Sequence, residues 1–374
     1  MSVAHDKPGW FEIANRDEVE SPGLLIYPDR VEENIRRMIA RAGGPARLRP
    51  HVKTHKLAPI TAMQITAGIT KFKAATIAEA EMCGHAGAAE VLLAYQPVGP
   101  NARRLLELIA AFPQTAFSCL LDDFGIATSL SALAVQGGVK INVLLDLDCG
   151  QHRTGVAPNE GAGAFYQALC RLPGLNPMGL HAYDGHIHAA DPVVREAECE
   201  AAFAPVALLR EHLRAAGLPV PILVAGGTPT FPFHARRLEV ECSPGTPVLW
   251  DFSYSDSFAD LDFLHAALVM TRIVSKPGAG RLCLDLGHKA IASENPPPRV
   301  RFLNLPNARF VAHNEEHLVV EVDSAENWRI GGCLFGVPRH VCPTVALHSG
   351  AVVVQGSRAA DYWPIQARDR HLTY

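Results

Sequence analysis

From Gly23 to about residue 245 the chain alternates short aliphatic runs with amphipathic stretches, and this alternation restricts the fold more than any other feature. GLLIY, RLRPHVK, KFKAAT, AEVLLAY, TAFSCLLD, VKINVLLDLD, PMGLHAY, PILVAGG and RRLEVECSPG read as strands. Residues 29–42, LAPITAMQITAG, NARRLLELIAAF and DFGIATSLSALAVQ are among the stretches with helical spacing. Strands alternating with helices of roughly 10–15 residues make βα units around a parallel sheet. About eight such units over roughly 230 residues match a (β/α)8 TIM-type barrel, which takes ~250. An open doubly wound sheet is the alternative, but no Gly-x-Gly-x-x-Gly opens the first helix. The long helical stretch 192–217 is expected to kink or split at Pro205.

After about residue 250 the helical spacing ends. ALVMTRIVSKP, GRLCLDLG, RVRFLNL, ARFVAHN, HLVVEVD and AVVVQG are strand-like and separated by Pro, Gly and Asn turns. They predict a second, mainly antiparallel β domain. The expected division is residues 23–248 for the barrel, with 1–22 and 249–374 for the β domain, the first ~20 residues lying across it as an arm.

The net charge of -4 offers no basic footprint and argues against nucleic acid as a partner. The N-terminus has no apolar h-region and no later apolar run is long enough to span a bilayer, so neither secretion nor membrane insertion is expected. Nine scattered cysteines, an odd number without paired spacing, suit reduced thiols in a cytoplasm.

In a barrel the reactive groups belong at the C-terminal ends of strands. Lys53 stands at such an end, in RLRPHVKTHK, where Pro50 keeps the backbone extended. A lysine there can hold a carbonyl cofactor as a Schiff base; a surface lysine in a basic turn is the plainer reading. DLDCGQHRTGV places Asp146, Asp148, Gln151, His152 and Arg153 in a Gly-bounded loop, and LHAYDGHIH adds His181, Tyr183, Asp184, His186 and His188. Gly226, Gly227 and Thr228 of AGGTPTF offer backbone N–H groups and a hydroxyl to a phosphate. His186 and His188 read as hydrogen-bonded loop residues, and Asp285 and Lys289 as structural. In His340-Val341-Cys342, read as a strand, residues i and i+2 share a face, so imidazole and thiolate converge. Two protein ligands with open positions suit a catalytic metal, and a thiolate favours zinc over manganese or magnesium.

The markers RPHVKTHK, the HRTG loop, HAYDGH, AGGTPT, ECSPGT, NEEH and RHVCPT together resemble the fold-type III pyridoxal-phosphate enzymes, and within them the D-threonine aldolase/D-serine dehydratase family. The resemblance covers nearly the whole chain. It implies an alanine-racemase-like barrel, pyridoxal 5'-phosphate on Lys53, and a divalent metal on His340 and Cys342. It further implies Arg153 at the cofactor's phenolic oxygen, Tyr183 near its ring, and Gly226, Gly227, Thr228 and Gly245 at its phosphate. Alanine racemases carry an arginine at the position of Ser243, so Ser243 and Glu241 are rival partners for the pyridine nitrogen. Glu315, Glu316 and His317 are candidates to orient substrate or metal ligands.

The implied activity is that of a lyase on 3-hydroxy-D-amino acids, as a homodimer. Aldolase members usually carry aspartate where this chain has Cys342 and dehydratases usually cysteine. This favours dehydration and deamination to a 2-oxo acid and ammonia, with aldol cleavage to glycine and an aldehyde as the alternative. A racemase or a non-catalytic pyridoxal-phosphate protein would share Lys53 but not need His340 and Cys342.

Overall fold

The computed structural model describes residues 9–374. The chain divides into two compact units. One comprises the described residues up to Asn34, Val248–Asp256 and Asp262–Arg368; the other comprises Ile35–Pro247, Ser257–Leu261 and Asp369–Tyr374. Along the chain the strands up to the end of the barrel are β1 (Gly23–Ile26), β2 (Lys71–Ala74), β3 (Glu90–Leu93), β4 (Ala116–Leu121), β5 (Ile141–Leu147), β6 (Leu175–Ala182), β7 (Ile222–Ala225) and β8 (Glu241–Cys242). Helices α1 (Pro28–Ala42), α2 (Ala58–Thr66), α3 (Ile77–His85), α4 (Pro100–Ala111), α5 (Phe124–Gln136), α6 (Glu160–Leu169), α7 (Pro192–Ala215) and α8 (Phe231–His234) alternate with them.

Strands β2 to β8 form one seven-stranded, all-parallel sheet in sequential order. Residues 48–51 supply the eighth position. Leu48 bridges Cys242 and His51 bridges Lys73, both in parallel. The Arg49 and His51 N–H groups donate to Cys242 and Pro244, at 2.8 and 2.9 Å, and the Lys73 N–H donates to the Pro50 carbonyl at 2.9 Å. Pro50 has no N–H to return toward β2, which is why this segment makes bridges rather than a full ladder. Leu92, Leu120, Leu144 and Val224, one each from β3, β4, β5 and β7, pack together as the barrel interior.

Local signals set the helix starts. Thr76 caps α3 by accepting from the Glu79 N–H, and Asp123 caps α5 by accepting from Ile126. Helix α7 is not split at Pro205. Cys199, Phe203, Val206, Leu209 and Leu213 bury one face along its whole length, and that packing outweighs one missing hydrogen bond.

The other unit holds a nine-stranded sheet. Its strands are β1 and β9 (Ala267–Ser275), β10 (Arg281–Leu284), β11 (Val300–Phe302), β12 (Arg309–His313), β13 (Leu318–Glu321), β14 (Cys333–Pro338), β15 (Gly350–Gln355) and β16 (Arg358–Pro364). Two short helices, α9 (Phe252–Ser257) and α10 (Val341–Leu347), interrupt it. GLLIY, expected to open the barrel, belongs here. β1 lies between β9 (antiparallel) and β15 (parallel), with Leu25 opposite both Leu268 and Val352. Leu24, Leu25 and Ile26 are buried on both faces, as a central strand requires. The sequence reading omitted β14 and β16, whose Pro338 and Pro364 lie at strand ends where a missing donor is tolerated.

Of the expected N-terminal arm, residues 1–8 lie outside the described residues. Phe11, Ile13 and Val19 pack into the core with Leu268, Met270 and Phe335, and Asn15 exchanges hydrogen bonds with Ala359. No helix among the described residues is long and apolar enough to cross a membrane.

Arg195 on α7 is fully buried and ties the barrel top together. It donates to the carbonyls of Ala189 and Pro229 and pairs with Asp260 at 2.5 Å. Arg195→Met leaves these acceptors without a donor. The expected cost is about 3 kcal/mol and a fall in melting temperature on the order of 6–12 °C, read by calorimetry. An unchanged melting temperature would contradict this reading.

Candidate active site

Lys53 lies in the 3-10 turn Val52–Thr54 that follows the closing segment. It lines a cavity of about 240 Å³ together with Lys73, Asp146, Arg153, His181 and Tyr183. Three cations surround the Tyr183 ring. Lys53 Nζ lies 6.0 Å from its centroid, Lys73 Nζ 5.5 Å and the Arg153 guanidinium carbon 5.0 Å. Tyr183 fits because its neighbours are glycines. A Cβ on Gly185 would meet the ring at 2.3 Å and one on Gly227 at 3.0 Å.

The turn after β7 is built as a cradle, although not all of its N–H groups are bare as expected. Gly226, at φ +80°, donates to the Ala182 carbonyl, and Gly227 donates to Thr230 Oγ1 at 3.1 Å. Thr228 Oγ1 accepts from the Gly245 and Thr246 N–H groups, at 3.2 and 3.3 Å, and keeps its own proton to donate. A Cβ on Gly245 would meet Thr54 at 3.0 Å and His51 at 3.2 Å, so the turn after β8 lies directly against the turn that carries Lys53. The Thr228 hydroxyl, in a turn with glycines where a side chain would intrude, fits the phosphate of pyridoxal phosphate.

Glu241 and Ser243 differ sharply. Both Glu241 oxygens are engaged, Oε2 by Arg49 at 2.7 Å and Oε1 by Lys71 at 2.5 Å. Burial works against its charge, but these two cations hold its carboxyl below the usual range. Ser243 is buried, and its hydroxyl donates to the Arg49 carbonyl at 2.9 Å, leaving the oxygen able to accept.

Behind the cradle, Asp184 accepts from Thr230 at 2.7 Å and from His234 Nε2 at 2.8 Å. Cys199 Sγ lies 3.4 Å from the same nitrogen, so three possible metal-ligand atoms lie close together. The Arg237 guanidinium, 3.0 Å from His234 Nδ1, occupies the far side of the imidazole. Burial pushes the Cys199 thiol up to about 12. A neutral thiol beside a guanidinium favours a hydrogen-bonded support for the turn over a cation site.

In the other unit, His340 is the N-cap residue of α10 and Cys342 lies in its first turn. The expected strand is therefore a helix start, and the two side chains meet through that turn: they share a hydrogen bond. Glu294 Oε1 lies 2.5 Å from His340 Nδ1, which leaves Nε2 as the ligand nitrogen. Asp251 fixes the turn by accepting from the Val341 N–H at 3.0 Å. Imidazole, thiol and an orienting carboxylate fit a zinc-type centre. Glu315 and Glu316 pair with Lys289 at 2.7 and 3.1 Å. Asp285 accepts from Ser21, Thr271 and the Arg272 N–H, in keeping with a structural role. His188 Nδ1 hydrogen-bonds to the His186 carbonyl at 2.6 Å, while His186 Nδ1 is buried without a hydrogen-bond partner among the described residues.

The sequence reading passed over Lys73. A lysine two residues after Lys71, on the same face of β2, was the available signal. Two outcomes test this geometry. Gly227→Val drives a side chain into Tyr183 and is expected to weaken cofactor retention about tenfold or more, measured by equilibrium dialysis. Glu294→Gln is expected to lower zinc affinity by about 10–100-fold, measured against a chelating dye. Unaltered binding in either case would remove that residue from its site.

Residues 26–246 match the alanine racemase N-terminal domain, and residues 266–354 match the putative serine dehydratase domain. A D-threonine aldolase from Arthrobacter sp is 32% identical over 356 residues, which cover 94% of this chain and 93% of that protein. The crystal structure of D-threonine aldolase from Filomicrobium marinum superimposes with a TM-score of 0.87 at 28% identity, covering 94% of this chain and 95% of the other. That of D-threo-3-hydroxyaspartate dehydratase from Delftia sp. HT23 gives 0.82 at 25% identity, covering 93% and 97%. A form of that dehydratase with one cysteine replaced by alanine has been solved metal-free. The chain belongs to the fold-type III pyridoxal-phosphate enzymes, in the D-threonine aldolase/D-serine dehydratase family, and is a pyridoxal-phosphate-dependent lyase of D-amino acids.

Proposed function

We propose that this lyase acts on 3-hydroxy-D-amino acids with the help of a divalent metal, zinc by preference, and removes the hydroxyl and amino groups to give a 2-oxo acid and ammonia. The observation that carries the choice is Cys342, hydrogen-bonded to His340 where aldolase members usually carry aspartate. Aldol cleavage to glycine and an aldehyde is the second reading, favoured by the 32% identity to a D-threonine aldolase. A homodimer is the proposed working form, and a cytoplasm the proposed location.

Pyridoxal phosphate supplies an electron sink that loosens the bonds at the substrate's α-carbon, and a divalent ion supplies a Lewis acid for its β-hydroxyl. Lys53 is the amine that would hold the cofactor and that would take the proton from the substrate's α-carbon. The Thr228 hydroxyl would hold the phosphate, and Gly226, Gly227 and Gly245 would shape the turns around it. Arg153 would hold the phenolic oxygen and Tyr183 would support the ring. Ser243, rather than the twice-paired Glu241, is the proposed partner of the pyridine nitrogen. With its proton given to the Arg49 carbonyl, the Ser243 oxygen would be an acceptor there and would bring no charge of its own to the ring nitrogen. His340 and Cys342 hold the ion, and Glu294 orients His340.

Product analysis on zinc- and cofactor-loaded protein tests this reading. D-serine is expected to give pyruvate and ammonia, EDTA to abolish turnover, and added zinc to restore it. Glycine and acetaldehyde from D-threonine, without a 2-oxo acid from either substrate, would establish the second reading. Turnover indifferent to EDTA would remove the metal from both.

A further inference from the structure

Two lysines, not one, face the cavity. We propose that Lys73 is a second working amine of this site, exchanging a proton with the bound ligand from a position that His181 and Asp146 fix behind it. This rests on the reading of the cavity as the cofactor and substrate site.

Lys71 and Lys73 share one face of β2 and behave differently. Lys71 has an ordinary structural partner in Glu241, at 2.5 Å. Lys73 is 3% exposed, and among the described residues no carboxylate lies within ion-pair distance of it. Its hydrogen-bonding partner is His181, with Nζ and Nε2 3.4 Å apart. His181 Nδ1 lies 2.7 Å from Asp146 Oδ1. Asp146 accepts only from a protonated Nδ1, so Nε2 of the neutral ring carries the lone pair and accepts an N–H from Lys73. Carboxylate, imidazole and amine thus form a chain whose free end points at the cavity, the order in which an orienting acid and a base support a reactive group.

The charges facing Lys73 come from several elements. Lys53 and His51 lie on the closing segment and the turn after it, Asp146 is on β5, His181 is on β6, and Arg153, Tyr183 and Asp184 are in the following loops. Tyr95 lines the cavity beyond β3. Burial is the largest influence and, with Lys53 next, lowers Lys73 to about 7 against the pull of Asp146 and Asp184. Burial likewise lowers His181, which keeps its ring neutral. An amine poised there holds and releases a proton at working pH, whereas an ordinary lysine stays charged.

The proposed step is a single transfer. One N–H bond of the Lys73 ammonium breaks, its electron pair stays on Nζ, and the proton bonds to an anionic oxygen of the ligand. The return step reverses this, and the Nδ1 proton of His181 stays in its hydrogen bond to Asp146 throughout.

NMR of lysine-labelled protein, with Lys73 assigned through Lys73→Met, tests the proposal without reference to turnover. The Lys73 titration midpoint is expected near neutral pH. It should rise in Lys53→Met, which removes a repelling cation, and fall in Asp146→Asn. Folding stability gives a second measure with a fixed sign. Lys73 binds its proton less readily folded than unfolded, so wild-type stability relative to Lys73→Met rises with pH from about 7 to about 10. In loaded enzyme, Lys73→Met should also lose the limb of the kcat/KM profile centred near neutral pH while the cofactor stays on Lys53. A midpoint in the ordinary lysine range, or one indifferent to Lys53→Met, would overturn the proposal. Loss of cofactor from intact Lys53→Met alone leaves the proposal standing, because the titration is read without cofactor.

Discussion

The four residues that close the barrel are the constraint on which the site depends. Residues 48–51 contribute only bridges to β8 and β2, because Pro50 withholds one donor. Those few hydrogen bonds nevertheless fix where three things meet. They lead into the turn that holds Lys53, press that turn against Gly245, and bring His51 beside Lys73. A regular strand here would carry more ladder hydrogen bonds, but the chain must leave the sheet at His51 to turn Lys53 inward. The site is thus built where the barrel is least regular, as strand ends around a barrel mouth allow.

Charge within this unit is sorted by partner. Arg49 and Lys71 are neutralised by Glu90 and Glu241, so one end of this strand pair is an ordinary ion-pair network. Lys53, Lys73 and Arg153 surround Tyr183 without a comparable set of carboxylates: Asp146 is taken by His181, and Asp184 by His234 and Thr230. The resulting surplus of positive charge suits a ligand that carries a phosphate and a carboxylate. The same sorting engages both Glu241 oxygens with cations, which supports the proposal of Ser243 as the partner of the pyridine nitrogen.

Much of this was legible in the sequence, and the gaps have physical causes. The βα alternation gave the barrel because periodicity of two and of 3.6 is set locally. GLLIY obeyed the same local rule yet went to the other sheet: a run apolar on both faces fits any central strand, and only tertiary pairing with β9 and β15 decides which. His340 and Cys342 meet as expected, though on a helix start, because spacing i, i+2 brings side chains together in a tight turn as well as in a strand. Lys73 was passed over for another reason. A lysine in KFKAAT looks like a solvated strand end, and only the closed barrel shows that its face is the interior.

The account stands or falls on which amine bears the cofactor. Borohydride reduction of the pyridoxal-phosphate-loaded protein, followed by peptide mapping, addresses this directly, because the cavity offers two lysines. The account predicts the reduced adduct on Lys53 alone, with Lys73 unmodified. An adduct on Lys73, or none on either residue, would contradict it.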